Sequence, residues 1–309
     1  MRIVVHGQQA FGKSVLEALL ERGENVIAVY CAPEPAQGGG RMDPLKEAAL
    51  AHNLPVYQPR SLRNKPDVWE AFAQLKADLC VMAYVTLFVP EEMLNLPAYG
   101  TIQYHPSLLP RHRGPSSINW PIIWGETRTG LTIFWPDKGL DTGPILLQKE
   151  VEILDTDTLG SLYFDRLYPL GVTALLEAVE LVRASKASKI PQDDTQATYE
   201  GWCKQEHVQI DWQKPLQEIW NLIRGADPQP GAWTTYNGAT VQLYDAKKLV
   251  GAAAGIPGAV TAVGDASFTV AAAGGQIDVT RVRPEGGQKI SAGAFAKSVG
   301  LHPGARLGG

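Results

Sequence analysis

The first hundred residues alternate strand-like and helix-like segments, and that rhythm restricts the chain to a doubly wound, mostly parallel α/β sheet. Arg2 to His6 is a β-branched run, and a loop from Gly7 to Gly12 follows it. Lys13 to Arg22 then sets Val15, Leu16, Leu19 and Leu20 on a helical period that Gly23 closes. Asn25 to Tyr30 is a second strand. Asp43 caps a helix that has Pro44 at its first position and runs to His52. Pro55 to Tyr57 is a short strand, Pro66 to Lys76 a helix, Asp78 to Tyr84 a buried strand, Pro90 to Asn95 a helix and Gly100 to Tyr104 a strand. Between them, Ala32 to Arg41 is a loop rich in Pro and Gly. In such a sheet, ligands collect beyond the carboxyl ends of the strands.

The Gly7–Gly12 loop invites comparison with a dinucleotide site, which it fits poorly. That fingerprint needs three glycines as G-x-G-x-x-G, whereas Gln8 and Gln9 follow Gly7 here and Gly12 is the next glycine. The acidic residue expected at the tip of the second strand is replaced by Tyr30 and Cys31. The simpler reading is that Gly7 and Gly12 let a strand turn closely into its helix. Composition narrows the field further. With 309 residues and a net charge of −4, the chain has room for two domains and carries no run of Lys or Arg to draw nucleic acid or a membrane surface. The 3 cysteines, Cys31, Cys80 and Cys203, show neither metal-ligand spacing nor a disulfide framework. Cys31 and Cys80 close apolar segments and read as buried filler. No segment reaches the apolar length of a membrane span, and the N-terminus reads as a strand rather than a secretory signal, so a reducing cytoplasm fits.

The second half changes character. Ser116 to Trp124 reads as a helix and Ile145 to Ile153 as a strand; Asp155 to Arg183 is a long helical region broken near Pro169-Leu170-Gly171. A polar stretch then crosses to a second domain. The expected layout is a catalytic domain over 1–187, a linker over 188–206 and a C-terminal domain over 207–309. The last part opens with a helix from Pro215 to Arg224. Short β-like runs follow at Ala232–Tyr236, Thr240–Tyr244, Gly258–Val263, Ser267–Ala271 and Gln276–Val282, and a short helix at Ala294–Val299. Gly-rich turns between such runs point to a small, OB-like β-barrel. The fold class is therefore a Rossmann-like α/β domain followed by a barrel.

The chemistry concentrates between Gln103 and Gly143. His105 follows one predicted strand, and Asp141 lies in a Gly-Leu-Asp-Thr-Gly turn after the apolar run Leu131–Trp135. A His and an Asp placed at strand ends make a candidate proton-handling pair. Each has an ordinary alternative: His105 as a core histidine tied to a backbone carbonyl, Asp141 as a turn former. His112, between Arg111 and Arg113, reads as a solvated loop residue, and His6 as structural. His52 reads as a solvated residue at a helix C-terminus. Trp120, Trp124 and Trp135 read as core.

Taken together, His105-Pro106-Ser107-Leu108-Leu109-Pro110-Arg111-His112-Arg113-Gly114 and Gly139-Leu140-Asp141-Thr142-Gly143 resemble the paired motifs of the 10-formyltetrahydrofolate-dependent formyltransferases. Gly7-Gln8, Tyr104-His105, Ile118-Asn119-Trp120, Ile133-Phe134-Trp135 and Tyr199-Glu200-Gly201 resemble the branch that forms the N-terminal hydrolase domain of 10-formyltetrahydrofolate dehydrogenase, with the methionyl-tRNA formyltransferases next. The likeness extends over the whole chain, including Ile223-Arg224-Gly225 and Pro230-Gly231-Ala232-Trp233 at the entry to the barrel. It implies that His105 is the catalytic histidine and Asp141 the essential aspartate. It also implies that Leu87, Phe88 and Val89 hold the pterin ring, and that the turn holding Asp137, Gly139, Leu140 and Asp141 borders the same pocket. Arg111 and Arg113 are candidates for the folate glutamate tail, with plain surface charge as the alternative.

The implied activity is removal of the formyl group from 10-formyltetrahydrofolate, by hydrolysis or transfer, through a tetrahedral intermediate. Such a reaction needs an oxyanion stabiliser and a proton carrier, and a His beside a carboxylate supplies both. Gln103 departs from both branches: the tRNA enzymes carry an Asn there and the dehydrogenase an apolar residue. Its amide offers the same donor on a longer arm, or simply packs beside the strand. The expected co-substrate is thus 10-formyltetrahydrofolate, with no metal and no NAD(P). The acceptor is water or an amine such as an amino sugar. Initiator tRNA is less favoured, because the loop from Pro33 to Lys46 holds only Arg41 and Lys46 as bases. A nicotinamide oxidoreductase and a non-catalytic folate binder are the readings from other classes. Oligomeric state is left open.

Overall fold

The computed structural model describes residues 1–34, 41–251 and 255–308. Pro35 and Gly38 to Gly40, part of the predicted Pro- and Gly-rich loop, lie outside the described residues. The chain divides into two compact units. The first comprises residues 1–114, 130–151 and 165–199; the second comprises 115–129, 152–164 and 200–309. The stretch expected as a linker, 188–206, is split between them after Tyr199.

The alternating elements of the N-terminal part appear as β1 (Arg2–Gly7), α1 (Gln9–Glu21), β2 (Asn25–Tyr30), α2 (Pro44–Ala51), β3 (Val56–Tyr57), α3 (Pro66–Gln74), β4 (Leu79–Ala83), α4 (Glu91–Leu94) and β5 (Thr101–His105). They continue through α5 (Asn119–Ile123), β6 (Arg128–Phe134), β7 (Ile145–Glu152), α6 (Leu159–Ser161) and α7 (Tyr168–Arg183). Among the described residues, 7 strands form one sheet in the order β3-β2-β1-β4-β5-β6-β7. Pairings among β1 to β5 are parallel, and β6 runs antiparallel to β5.

Strand alternation sorts the core into two layers. Ile3, Val5, Val81, Ile102 and Tyr104 face one side, against Val15 and Leu19 of α1 and Ala174, Ala178 and Val182 of α7. Val4, Ala28, Tyr30, Cys80 and Met82 face the other, with Phe72, Met93 and Leu94. Gly7 is required where β1 passes β4, because a Cβ there would lie 2.2 Å from the Ala83 carbonyl oxygen. The Gln9 N–H donates to the Asp43 carboxylate, so the start of α1 carries an anion from the chain itself. Cys31 and Cys80 are buried as expected, and burial pushes their thiols up to about 11 and about 12.

Two helix expectations change. The region before Arg183 is not broken at Pro169-Leu170-Gly171. Instead α7 runs through it, and the irregular turn is a π-helix over Leu162–Leu167. Pro169 sits just past the junction of the π-helical turn and α7, where the wider turn accommodates its missing N–H. Gly171 is there for contact: a Cβ would fall 2.6 Å from the Tyr104 ring. The helix expected from Ser116 shrinks to α5, since Ser116 takes a left-handed φ of 62°.

The second unit carries α8 (Leu216–Gly225), β8 (Trp233–Tyr236), β9 (Ala239–Val250), β10 (Val260–Val263), β11 (Phe268–Ala272), β12 (Gly275–Pro284), β13 (Ile290–Ser291) and α9 (Ala292–Val299). Strand pairs β8–β9, β9–β12, β11–β12, β10–β11 and β12–β13 are all antiparallel. The sheet curls into a half-barrel around Trp212, Ile219, Ile223, Leu243, Phe268, Val279 and Phe295. Arg224 is buried on α8, where its guanidinium donates to the Leu154 and Asp157 carbonyls and the Asn221 side chain. Trp124, expected in the core, is instead 53% exposed, with its ring centroid 5.7 Å from that of Trp120.

Candidate active site

His105 is the last residue of β5, and strand alternation puts it on the same side as Gln103, away from Ile102 and Tyr104. Its ring is buried and held from both ends. Nε2 donates to the His112 carbonyl at 2.8 Å, and Nδ1 faces Asp141 Oδ2 at 3.6 Å. A carbonyl can only accept, so Nε2 carries the hydrogen in this bond and Nδ1 is the nitrogen left for chemistry. The 3.6 Å gap is too long for a direct hydrogen bond and suits a charge pair or a small bridging group. The backbone-carbonyl tie expected of a core histidine is thus present on one ring nitrogen, while the other faces a carboxylate.

Asp141 reaches this position by an indirect path. Thr132 lies opposite His105 and Phe134 opposite Gln103, so the chain leaves β6 level with Gln103 and heading away from His105. The connection folds back and closes with the Trp135 N–H donating to the Pro144 carbonyl. Asp137 ties the turn internally by accepting from the Gly139 N–H at 2.9 Å and the Thr142 hydroxyl at 2.6 Å. Gly143 is obligatory, because a Cβ there would sit 1.8 Å from the Trp135 carbonyl oxygen. Asp141 itself adopts a left-handed φ of 57°, a conformation Asp tolerates better than most residues. Oδ2 accepts the Gly114 N–H at 2.8 Å, while Oδ1 accepts no hydrogen bond from the described residues.

One loop therefore serves both groups: His112 receives the imidazole N–H and Gly114 donates to the carboxylate. Ser107 braces it by donating its hydroxyl to the Arg111 and His112 carbonyls. Below it, the Thr132 hydroxyl donates to the Ser107 carbonyl at 2.7 Å and accepts from the Leu109 N–H and Gln148 Nε2. A second brace comes from residues 192–198. Gln192 Nε2 donates to the Asp141 and Gly143 carbonyls at 2.9 and 2.7 Å, and its Oε1 accepts from Arg113 at 2.9 and 3.1 Å. Thr198 accepts the His112 N–H on its hydroxyl and the Arg113 N–H on its carbonyl.

Other expected residues fall in different places. His112 is buried, not solvated, because its left-handed φ of 56° turns it inward. Arg113 is engaged by Gln192 and Asp194, so it is a strut rather than free surface charge. Gln103 is half-buried, and its amide makes no hydrogen bond to the described residues. Val89 is buried in the second core layer and Leu87 packs partly against it, whereas Phe88 is 49% exposed beneath the Arg63 guanidinium, 4.4 Å from its ring centroid. Leu140 projects outward from its turn and is half exposed. His6 is buried on β1 beside Tyr30, and desolvation lowers its pKa to about 4.

Sequence reasoning missed Thr132, Gln148, Gln192 and Thr198. Thr132 had a signal, being the one polar residue in the run Leu131–Trp135 and completely buried. Gln192 and Thr198 sit in a polar stretch with no periodicity, and nothing there set them apart. Among the described residues, no group of three or more His, Cys, Asp or Glu side chains is placed to hold a metal ion.

Residues 1–179 match the formyl transferase family and residues 203–300 its C-terminal domain. The chain belongs to the formyl transferase family. It is 42% identical over 253 residues to the mitochondrial 10-formyltetrahydrofolate dehydrogenase of Mus musculus, a stretch that covers 81% of this chain and 27% of that protein. The chain thus spans about a quarter of the length of that relative. It is 39% identical over 297 residues to the methionyl-tRNA formyltransferase of Trichlorobacter lovleyi, covering 95% of this chain and 93% of that one. Among solved structures it is similar to HypX from Aquifex aeolicus in complex with tetrahydrofolic acid, with a TM-score of 0.67, 22% identity, and coverage of 96% of this chain and 47% of the other. Among the described residues no helix is long and apolar enough to cross a membrane.

Proposed function

We propose that this formyl transferase takes the formyl group from 10-formyltetrahydrofolate, releasing tetrahydrofolate, with His105 and Asp141 as the reacting pair. The observation that carries the reading is a buried imidazole whose Nδ1 faces a buried carboxylate at 3.6 Å on a formyl transferase fold. Membership of the family supports the donor, as does the folate in the name of the dehydrogenase relative.

The residues divide the work as follows. The formyl carbon is amide-like, so a nucleophile adding to it creates an oxyanion and must lose a proton. Asp141 takes that proton on Oδ1, since Oδ2 is held by Gly114. Asp141 hands that proton on to His105 Nδ1, which then faces the developing charge as a donor and passes the same proton to the departing folate nitrogen. Its other nitrogen is pinned to His112, so the ring cannot rotate away. Gln103 lies on the same side of β5 with an uncommitted amide and supplies a further donor to the oxyanion. Phe88, with Leu87 and Val89 behind it, and the turn holding Asp137, Gly139 and Leu140 bound the folate.

For the acceptor, water or a small amine is favoured over tRNA. Lys46 is paired with Glu34 at 2.5 Å, which leaves Arg41 as the other base described in the loop from Pro33 to Lys46. The methionyl-tRNA reading stands second, on the full-length likeness to that enzyme. Incubation with 10-formyltetrahydrofolate, with and without charged initiator tRNA, separates them. Formate formed without added acceptor supports hydrolysis. Product formed only with tRNA, falling steeply with salt, supports the second reading. Absence of tetrahydrofolate under every condition rejects both.

A further inference from the structure

We propose that Gln192 is a positioning residue that sets the distance between Asp141 and His105. The inference rests on the reading of those two groups as the reacting pair. Asp141 is carried by a turn and His105 by a strand end, and no regular element joins the two. Their separation depends on how the Asp141 turn sits against the loop over residues 110–114, which grips both groups through Gly114 and His112.

Gln192 ties those two segments together with a single planar amide. Its two N–H donors satisfy the carbonyls of Asp141 and Gly143, on either side of Thr142. Its oxygen takes a two-pronged bond from Arg113, the residue between His112 and Gly114. The carbonyl clamp matters because Asp141 holds a left-handed backbone, where a free peptide would relax toward negative φ. Fixing the Asp141 carbonyl fixes the peptide plane and hence the direction of its side chain. Arg113 is itself steadied by Asp194 at 2.6 Å, and Thr198 fixes the neighbouring peptides. The segment from Gln192 to Thr198 thus acts as a strap across the pair.

Gln192→Glu isolates the clamp. The carboxylate still accepts from Arg113, but it has no donors and sets lone pairs against two carbonyl oxygens. A mere anchor through Arg113 would survive this change, whereas a device that positions Asp141 would not. The expected result is a fall in kcat of about 100-fold, the scale of an ångström-sized misplacement, with the folate KM near wild type. The effect should also run through Asp141. In the Asp141→Asn background, Gln192→Glu should add less than about threefold. Gln192→Met, of similar length and without donors, replaces Gln192→Glu should the latter fail to fold.

If Asp141→Asn alone leaves kcat intact, the reading of the reacting pair fails. If Asp141→Asn lowers kcat by about 100-fold or more while Gln192→Glu stays within twofold of wild type, this inference alone is overturned. Full additivity of the two changes, or a raised KM at unchanged kcat, overturns it as well.

Discussion

Replacing Asp141 by Asn removes one charge, and with it the acceptor for the nucleophile's proton, while leaving the shape of the side chain. Asn tolerates the left-handed backbone at this position, and its amide oxygen can still accept the Gly114 N–H that Asp141 Oδ2 holds at 2.8 Å. The cost therefore falls on the reaction, at the moment when the imidazole bears a proton. Two unit charges 3.6 Å apart attract by about 4–5 kcal/mol at an effective dielectric of about 20, which is a ceiling for the contribution of the pair. Deletion of a single oxyanion donor in enzymes of this general kind costs about 3–4 kcal/mol, which sets a similar scale. Asp141→Asn should therefore lower kcat by about 100- to 1000-fold, with the KM for 10-formyltetrahydrofolate changed by less than about threefold. The assay is initial-rate release of tetrahydrofolate, with Tm measured on the same samples. A variant within tenfold of wild-type kcat would refute the charge-pair argument. A variant that loses several degrees of Tm would show that the carboxylate is structural.

Three further outcomes are expected. Gly143→Ala should reshape the turn, because its methyl would meet the Trp135 carbonyl oxygen; we expect a loss of about 1–3 kcal/mol in denaturant unfolding together with activity, while Gly201→Ala, with open space around it, leaves both unchanged. Gln103→Leu keeps the half-buried volume and removes the amide, and should cost about 100-fold in kcat; an unchanged rate would return Gln103 to a packing role. His6 gives a pH signature. Its folded pKa of about 4 lies below the unfolded value of 6.5, so only the unfolded chain gains a proton between those values. Stability should therefore be unpenalised above pH 6.5, decline as pH falls toward 4, and have lost about 3 kcal/mol below it. His6→Gln, compared with wild type by urea unfolding at pH 7 and pH 4.5, should show a shallower decline; parallel curves would refute the assignment.

The fold was legible because its signals are periodic. Val15, Leu16 and Leu19 recur at helical spacing, and the short strands between helices leave a parallel sheet as the remaining solution. Signals of contact rather than period were harder to read. Pro169 and Gly171 look like a helix break in one dimension. In three dimensions Pro169 follows a π-helical turn that accommodates it, and Gly171 lets α7 lie on Tyr104. His105 was legible as a strand-end residue. Asp141 was legible as a turn residue, but not as one whose turn doubles back against the direction of β6. His112 was misjudged because a histidine between two arginines reads as solvent-facing. Its backbone, not its neighbours, decides its burial.

The residues that sequence reasoning missed share one property: they act on main-chain atoms. Gln192 donates to carbonyls, Thr198 accepts N–H groups and Thr132 bridges a carbonyl and an N–H. A main-chain group looks the same at every position, so no residue type in the string announces that its carbonyl needs a partner. The proposed reacting pair hangs on such groups, through the His112 carbonyl and the Gly114 N–H. It follows that activity in this chain is exposed to changes at residues with no chemistry of their own. Substitutions that redirect the backbone between Pro110 and Gly114 should silence the enzyme as fully as loss of His105.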